Sequence, residues 1–343
     1  MEKEARICQE KFGQARKLPW LTTFCLDKLG NFGICSLNMK QIRLSKQLGA
    51  IILATRPWSF SMTAISVTLG SMLAVPAVAF HWGDYGLVLA GMVLVHAATN
   101  VFNDYCDFQA GVDAPGSPTT LYRRHPLVEG DFTPGFILGL SLACYAAAAL
   151  IGGYFFLTQG WFIALFAVIG GLASIFYTAG PVKYKYRALG EVMAFVMWGP
   201  LMLTACYFIQ TQSWTQIGSV WLVSIPQGLW VALVLLANNL TDTEYDRETG
   251  VQTLGTLFGR QKTIRLFVAV VAAIYCITGL EILVGVISPW GLLTLLALPI
   301  IGRFIFLVKR APAIPVDADP QTAKAAMIYG IALIGSFLLA RVF

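Results

Sequence analysis

Nine stretches of the chain are almost continuously apolar, approximately 59–81, 86–103, 134–157, 160–179, 189–210, 217–238, 264–286, 289–307 and 324–342. A helix rises about 1.5 Å per residue, so ~30 Å of hydrocarbon is crossed by about 20 such residues. Gly and Pro recur inside the stretches, as they do in membrane helices. Polar residues gather between them, and Glu281 is the exception in mid-stretch. The pattern predicts an all-α membrane protein of nine transmembrane helices. Its first apolar run begins well after residue 50, too late for a cleavable signal peptide.

Composition agrees with the pattern. Of 343 residues, 57% are hydrophobic and 12% charged, about half the charge of an ordinary soluble domain, which argues against a water-soluble enzyme and against disorder. The seven Cys form no CxxC pair, and neither disulfides nor zinc are expected. The formal net charge of +6 tempts a nucleic-acid reading, but its location does not support one. Residues 1–57 hold ten of the 24 Lys and Arg and four of the 18 Asp and Glu, so the remainder is neutral. Such a tail suits an anionic membrane surface. Residues 1–55 are read as a basic tail, 56–343 as the membrane domain. Within the tail, 1–38 reads as a dispensable extension ahead of Met39-Lys40-Gln41.

Cations set the expected orientation. The tail, Arg123 and Arg124, Lys183, Lys185 and Arg187, the group from Arg247 to Arg265, and the group from Arg303 to Lys324 all fall on one side; Arg341 stands opposite. By the positive-inside rule that side is cytoplasmic, with the N-terminus and the polar clusters facing the cytoplasm of a bacterial or archaeal plasma membrane.

Two of the polar clusters carry candidate chemistry. The second stretch ends in Asn100-Val-Phe-Asn103-Asp104-Tyr105-Cys106-Asp107, followed by Gly111-Val112-Asp113; the sixth ends in Asn238-Asn239-Leu240-Thr241-Asp242-Thr243-Glu244-Tyr245-Asp246. Asp104 and Asp107 are three apart and Asp242 and Asp246 four apart, so each pair shares a helix face. Carboxylates this close repel one another unless a cation intervenes. Carboxylate and amide oxygens suit a hard cation such as Mg²⁺, which recruits substrate phosphates. Two Asn-led clusters separated by four helices imply two similar four-helix halves plus one helix, with a metal site in each half. Arg56, Arg123, Arg124 and Lys183, with Lys185 in the same loop as Lys183, form a basic set from which Arg56, Arg123, Arg124 and Lys183 are chosen to clamp a diphosphate, Arg bidentately and Lys as a point charge. Tyr177, Tyr184 and Tyr186 offer π faces that can stabilise a cation or form an interfacial aromatic belt.

These motifs, with Tyr177 to Pro181, Leu189-Gly190-Glu191, Gly199-Pro200 before Tyr207, and Asn238 through Gly250, resemble the UbiA superfamily of intramembrane prenyltransferases. The likeness runs from about Arg56 to the C-terminus and is strongest to the 1,4-dihydroxy-2-naphthoate polyprenyltransferases of menaquinone synthesis. It implies the nine-helix UbiA-type fold and Mg²⁺-dependent transfer of a polyprenyl group from its diphosphate to an aromatic acceptor. It implies catalytic and metal roles for Asp104, Asp107, Asp242 and Asp246, a catalytic role for Tyr177, and diphosphate-site roles for Asn103 and Asn239. The wider superfamily has a third aspartate four residues after Asp107; here Gly111 stands there and the acid falls at Asp113, a further metal candidate of less certain standing in the pattern. Val251-Gln252 replaces a basic pair usual in the naphthoate branch, and His125-Pro126-Leu127-Val128-Glu129-Gly130 is closer to the wider superfamily. The alternatives are another acceptor (4-hydroxybenzoate, a glyceryl phosphate, homogentisate or a porphyrin derivative) or a secondary transporter, which paired repeats with intramembrane acids would also fit.

Overall fold

The structure, a computed structural model, describes residues 47–75, 78–310, 313–315 and 317–342. The proposed extension 1–38 and the tail's cations up to Lys46 lie outside the described residues. From Ala50 onward the chain forms one unit, and every principal element in it is a helix. We label these α1 (Phe60–Met72), α2 (Trp82–Gln109), α3 (Pro134–Gln159), α4 (Trp161–Phe176), α5 (Gly190–Thr211), α6 (Ile217–Thr241), α7 (Leu254–Leu283), α8 (Pro289–Arg310) and α9 (Ala318–Val342). Short helices Pro118–Tyr122 and Thr243–Thr249 lie between them.

Among the described residues, seven helices, α2, α3 and α5 to α9, are long and apolar enough to cross a bilayer. The other two are shorter than the expected stretches. Helix α1 has 13 residues and stops at Met72, the position whose carbonyl would need a helical N–H from residue 76, which in the sequence is a proline and has none. Helix α4 has 16 residues, bounded by Gly160 at φ 90° and by the turn leading to Gly180-Pro181. Other helices outrun their stretches, α2 and α7 furthest. Helix α2 continues six residues past the expected end and carries the whole first acidic cluster in its final turns. Helix α7 starts at Leu254 on a Thr253/Thr256 capping box and breaks at Gly259 (φ 72°) before its apolar length begins.

Helix α6 is the centre of the packing. It lies against α5, α7 and α9, while α1 packs on α2, α5 and α9. Trp230 of α6 is fully buried among Tyr275 and Tyr329, and Gln227 donates from Nε2 to Ser66 Oγ of α1 at 3.0 Å. In lipid such interhelical hydrogen bonds average about 0.6 kcal/mol, so close van der Waals packing carries much of the association. Two glycines permit it where α5 crosses α6. A Cβ on Gly199 would fall 2.7 Å from Ser224 O, and one on Gly228 2.5 Å from Phe195 O. Helix α5 accommodates the crossing with a π-helical turn at Met197–Leu201 around Pro200.

This crossing yields a stability test. Gly228→Ala forces backbone apart at a cost of about 1–3 kcal/mol and should lower the thermal midpoint of the detergent-solubilised protein. Gly302→Ala, where a Cβ meets nothing within 4 Å, should leave it unchanged; equal midpoints for the two variants would contradict the packing argument.

Candidate active site

The last turns of α2 split the first cluster between two environments. Positions three apart on a helix diverge by about 60°, and Asp104 and Asp107 use that divergence. Asp104 is fully buried, and its Oδ1 accepts from Arg56 Nη2 and Arg123 Nη2, each at 2.5 Å. Arg56 reaches it from a left-handed backbone (φ 56°, ψ 59°) just before Pro57. That conformation costs an L-residue roughly 1–2 kcal/mol and persists where surrounding contacts over-determine it. Burial works against the Arg56 charge, but Asp104 and its neighbours more than offset this and hold the guanidinium ionised.

Asp107 faces the other way. Lys185 Nζ and Tyr186 OH donate to its two oxygens, and Asn103 Nδ2 donates to Oδ2 at 2.7 Å. Burial would lower the Lys185 ammonium, yet Asp107 raises it well above the usual range for a lysine. Lys185 is aimed inward by a 3₁₀ turn, Tyr184–Tyr186, which follows a left-handed Lys183 (φ 44°). The same turn leaves Lys183 at the surface.

After α2 the chain turns at Gly111, and the amides of Val112 and Asp113 cap the Asp107 carbonyl at 2.9 and 3.2 Å. Asp113 is thereby brought 3.2 Å from His125 Nε2, with Asp104 Oδ1 4.0 Å away. His125 Nδ1 accepts from the Leu127 and Val128 amides at 3.3 and 3.2 Å, so its proton sits on Nε2, toward the carboxylates. Burial pushes the Asp113 carboxyl up, but the His125 imidazole 3.2 Å away and the Lys185 charge outweigh it and leave it below the usual range.

The second cluster has no such compensation. Asp242 closes α6, and Asp246 follows one turn on, with its amide on the Asp242 carbonyl at 2.8 Å. Asn238 Nδ2 donates to Asp242 Oδ2 at 3.1 Å, and Asn239 Nδ2 to Glu191 Oε1 of α5 at 2.9 Å. Among the described residues neither Asp242 nor Asp246 is ion-paired. Burial, then the Asp246 charge, pushes the Asp242 carboxyl up to about 7; burial pushes Asp246 up to about 6. A buried carboxylate pair of this kind, with amide oxygens beside it, fits a hard divalent cation.

Backbone links hold the clusters against each other. Tyr245 OH donates to Val112 O at 2.7 Å, and the Ala188 amide to Gln252 O at 2.7 Å. Between them lies a cavity of about 910 Å³, lined at its polar end by Arg56, Asn103, Asp107, Asp113, Tyr177, Lys185, Asn239, Asp242 and Asp246. Away from the acids its wall is apolar. Leu142, Phe156 and Val168 line it while remaining 55%, 48% and 56% exposed, so the cavity reaches the outer, lipid-facing surface at α3 and α4.

The structure therefore brings together most of the residues expected from sequence. Asp104 and Arg123 stand behind the cavity wall, paired with each other. Arg124 is bound bidentately by Asp131, at 2.5 Å to each oxygen, on the protein surface, and neither it nor Lys183 lines the cavity. Sequence reasoning gave no site role to Glu191, Asp319 or His125, and it put Lys183 rather than Lys185 at the diphosphate. The last two lysines are two apart in one loop, and only the 3₁₀ turn distinguishes them. Asp319 lines the cavity from the first turn of α9, where an acid is ordinarily read as a helix cap.

Comparison with known proteins agrees with this geometry. Residues 64–338 match the model of the UbiA prenyltransferase family. The chain is 30% identical over 282 residues to a 1,4-dihydroxy-2-naphthoate octaprenyltransferase of Bacillus subtilis, covering 81% of this chain and 89% of that one. In fold it is similar to a UbiA homologue from Aeropyrum pernix in its apo form (TM-score 0.65, 15% identity, 83% of this chain and 98% of that one). It is also similar to a UbiA homologue from Archaeoglobus fulgidus bound to GPP and Mg²⁺ (TM-score 0.55, 14% identity, 83% and 99%). With its multi-pass apolar helices and two acidic clusters meeting over one cavity, the chain belongs to the UbiA prenyltransferase family and is an integral membrane enzyme that transfers prenyl groups.

Proposed function

We propose that the protein transfers a polyprenyl group from a polyprenyl diphosphate to an aromatic acceptor, with 1,4-dihydroxy-2-naphthoate, the substrate named for the B. subtilis relative, as that acceptor. The observation that carries the reading is the imbalance across the cavity. The carboxylates of the first cluster are paired with Arg56, Arg123 and Lys185, whereas Asp242 and Asp246 face the same space with no ion-pair partner among the described residues. Asp242, Asp246 and Asp107, with Asn239 and Asn103 beside them, would hold Mg²⁺. Bound there, Mg²⁺ supplies the charge that neutralises a diphosphate as it leaves.

The chain's own residues do the rest. Lys185, and Arg56 behind it, place positive charge where the leaving diphosphate gathers negative charge. The allylic C–O bond breaks and its electron pair departs with the diphosphate. The apolar wall excludes water from the resulting allylic cation, and Tyr177, which lines the polar end, offers an aromatic ring near which a cation is favoured. An acceptor ring carbon supplies the electron pair of the new C–C bond. If that carbon bears a carboxylate, loss of CO₂ returns the pair of the broken bond to the ring. The prenyl tail runs along the apolar wall and out between α3 and α4 into lipid. In this reading α1 and α4 also cross the membrane, giving nine spans in two similar four-helix halves plus one, with the clusters on the cytoplasmic side as the cation distribution favours.

The direct test incubates purified protein with a labelled polyprenyl diphosphate and a panel of aromatic acceptors. Prenylated naphthoquinol should form, EDTA should stop its formation and Mg²⁺ restore it, and Asp242→Ala should reduce turnover at least about a hundredfold. Product from a different acceptor alone would replace the naphthoate assignment; EDTA-resistant turnover would remove the metal role.

A second test separates the basic residues. Lys185→Ala should raise KM for the prenyl diphosphate about tenfold, the scale of one charge-assisted hydrogen bond. Arg124→Ala should leave it within about twofold. The reverse ranking would contradict the placement of Lys185 at the diphosphate.

The raised carboxyls make a third. An Asp ordinarily titrates near 3.9, so between about pH 4 and pH 7 the folded, metal-free protein binds more protons at Asp242 and Asp246 than the unfolded chain does. Its stability therefore falls as pH rises through that window. Thermal melts with chelator should show a declining midpoint from pH 5 to pH 7.5. Added Mg²⁺ should raise the midpoint more at pH 7.5 than at pH 5.5, and Asp242→Asn should flatten both trends. A Mg²⁺ increment independent of pH would count against the pair as the metal site.

A further inference from the structure

Helix α2 presents more to the cavity than its acids. His96, Asn100, Asn103 and Asp107 follow at intervals of four, three and four, so they lie on one helix face, and all four line the cavity. At about 1.5 Å per residue, His96 lies about 10 Å deeper than Asn103 along the helix axis. At that depth the wall is apolar apart from two neutral networks, one joining Thr99, Ser174 and Tyr145 to one another, and a second built by α1, α2 and α5 that leaves an acceptor open to the cavity.

The second network has a direction. Trp198 Nε1–H, which can only donate, donates to Thr63 Oγ1 at 2.9 Å. Thr63 Oγ1 is 2.8 Å from His96 Nδ1, and His96 Nε2 is 3.2 Å from Ser59 Oγ. Ser59 Oγ donates to the Arg56 carbonyl, which can only accept, at 2.7 Å. With a pure donor at one end and a pure acceptor at the other, the protons between them are assigned. Thr63 gives its hydroxyl proton to Nδ1, and His96 is neutral with its proton on Nε2. Asn100 Nδ2 spends its two protons on Thr55 O at 2.9 Å and Ser59 Oγ at 3.3 Å. Among the described residues, Asn100 Oδ1 is left as an acceptor with no donor. Phe60 and Trp198 stand edge-on to the imidazole, at 5.4 and 5.0 Å between centroids.

Neither end of a prenyl diphosphate needs this. The diphosphate is matched by the ionic groups at the cavity mouth, and a hydrocarbon tail makes no hydrogen bonds. We propose that His96 and Asn100 form the subsite for the second substrate and read a neutral ring hydroxyl, which donates to Asn100 Oδ1 and shares the His96 Nε2–H with Ser59 Oγ in a three-centre bond. The inference rests on the aromatic-acceptor reading above and adds the group by which that acceptor is held. The pairing is selective. A carboxylate has no proton for Asn100 Oδ1, and a neutral imidazole offers it no charge, so a ring carboxylate belongs nearer the basic groups. A hydroxyl satisfies both partners at once, and Trp198, which lines the cavity beside them, suits the flat ring that carries it.

Binding can be read without turnover, which separates this subsite from the transfer reaction. Full-length protein in detergent with EDTA is titrated with 1-naphthol and with 1-methoxynaphthalene, at fixed detergent concentration so that partition into micelles cancels between variants. Wild type should bind the naphthol about tenfold more tightly, because the ether leaves Asn100 Oδ1 unpaired. In Asn100→Leu and His96→Phe that ratio should fall to about one, and His96→Gln, which keeps a donor, should restore part of it. Equal binding of the two ligands by wild type overturns the proposal, as does a wild-type ratio persisting in Asn100→Leu. If Asn100→Leu does not fold, the contrast between His96→Phe and His96→Gln decides, since equal ratios in those two also overturn it. Intact naphthol selectivity in a protein that prenylates no aromatic acceptor would instead sink the transfer reading.

Discussion

Everything at the polar end of this protein depends on placing ionised carboxylates at the edge of a hydrocarbon phase without leaving their charge uncompensated. Asp104 is where the constraint is tightest. It is fully buried and held between two arginines that come from different parts of the chain, one before α1 and one after the short helix Pro118–Tyr122. Removing one partner of such a buried pair strands the other charge at a cost of roughly 3–5 kcal/mol. The strained backbone of Arg56 is affordable on that scale. The pairing also fixes the start of α1 against the end of α2, and hence the wall of the cavity.

The same constraint accounts for the difference between the two acidic clusters. In the first, Asp104 and Asp107 each meet a basic group, and Asp113 meets His125. In the second, Asp242 meets the Asn238 amide and Asp246 the Thr253 hydroxyl, neither forms an ion pair among the described residues, and their raised carboxyls record the cost. The two clusters are nonetheless tied by Tyr245 to Val112 and by Ala188 to Gln252. Charge that is missing on one side of the cavity is thus held at a fixed distance from charge that is satisfied on the other, which is the arrangement a cation and an anionic substrate complete together.

Sequence periodicity revealed the helical, membrane-spanning class because a hydrocarbon solvent demands long apolar runs. It also exposed both acidic clusters, since nothing in packing requires Asn-led acids at two helix ends. What it missed follows from the same logic. The apolar run stops at Asn103 while α2 reaches Gln109, because its last turns are polar in sequence and their acids are compensated by Arg56 and Lys185 from elsewhere in the chain. Lys183 and Lys185 are equivalent in composition and spacing, and a left-handed residue decides which one turns inward. Arg124 looks like a phosphate ligand beside Arg123, yet Asp131, seven residues on, holds it at the surface. Asp319 comes to the cavity only because α9 packs against α1 and α6, which no local pattern encodes.

The face of α2 shows why such a site resists detection by amphipathicity. Along one stripe the cavity meets Val88 and Met92, then His96 and Asn100, then Asn103 and Asp107. The residues share an azimuth, so averaging around the helix mixes apolar, neutral polar and ionised groups and cancels them. Their order along the axis carries the chemistry instead. Apolar surface lies deepest, a neutral hydrogen-bonding seat sits above it, and carboxylates stand at the rim where water and a divalent ion can enter. Each step outward raises the cost of burying the group in hydrocarbon and lowers the depth at which it is placed. A single helix face can therefore grade its environment from lipid to electrolyte, and the gradient runs in the direction that a molecule with a hydrocarbon tail and an anionic head must lie.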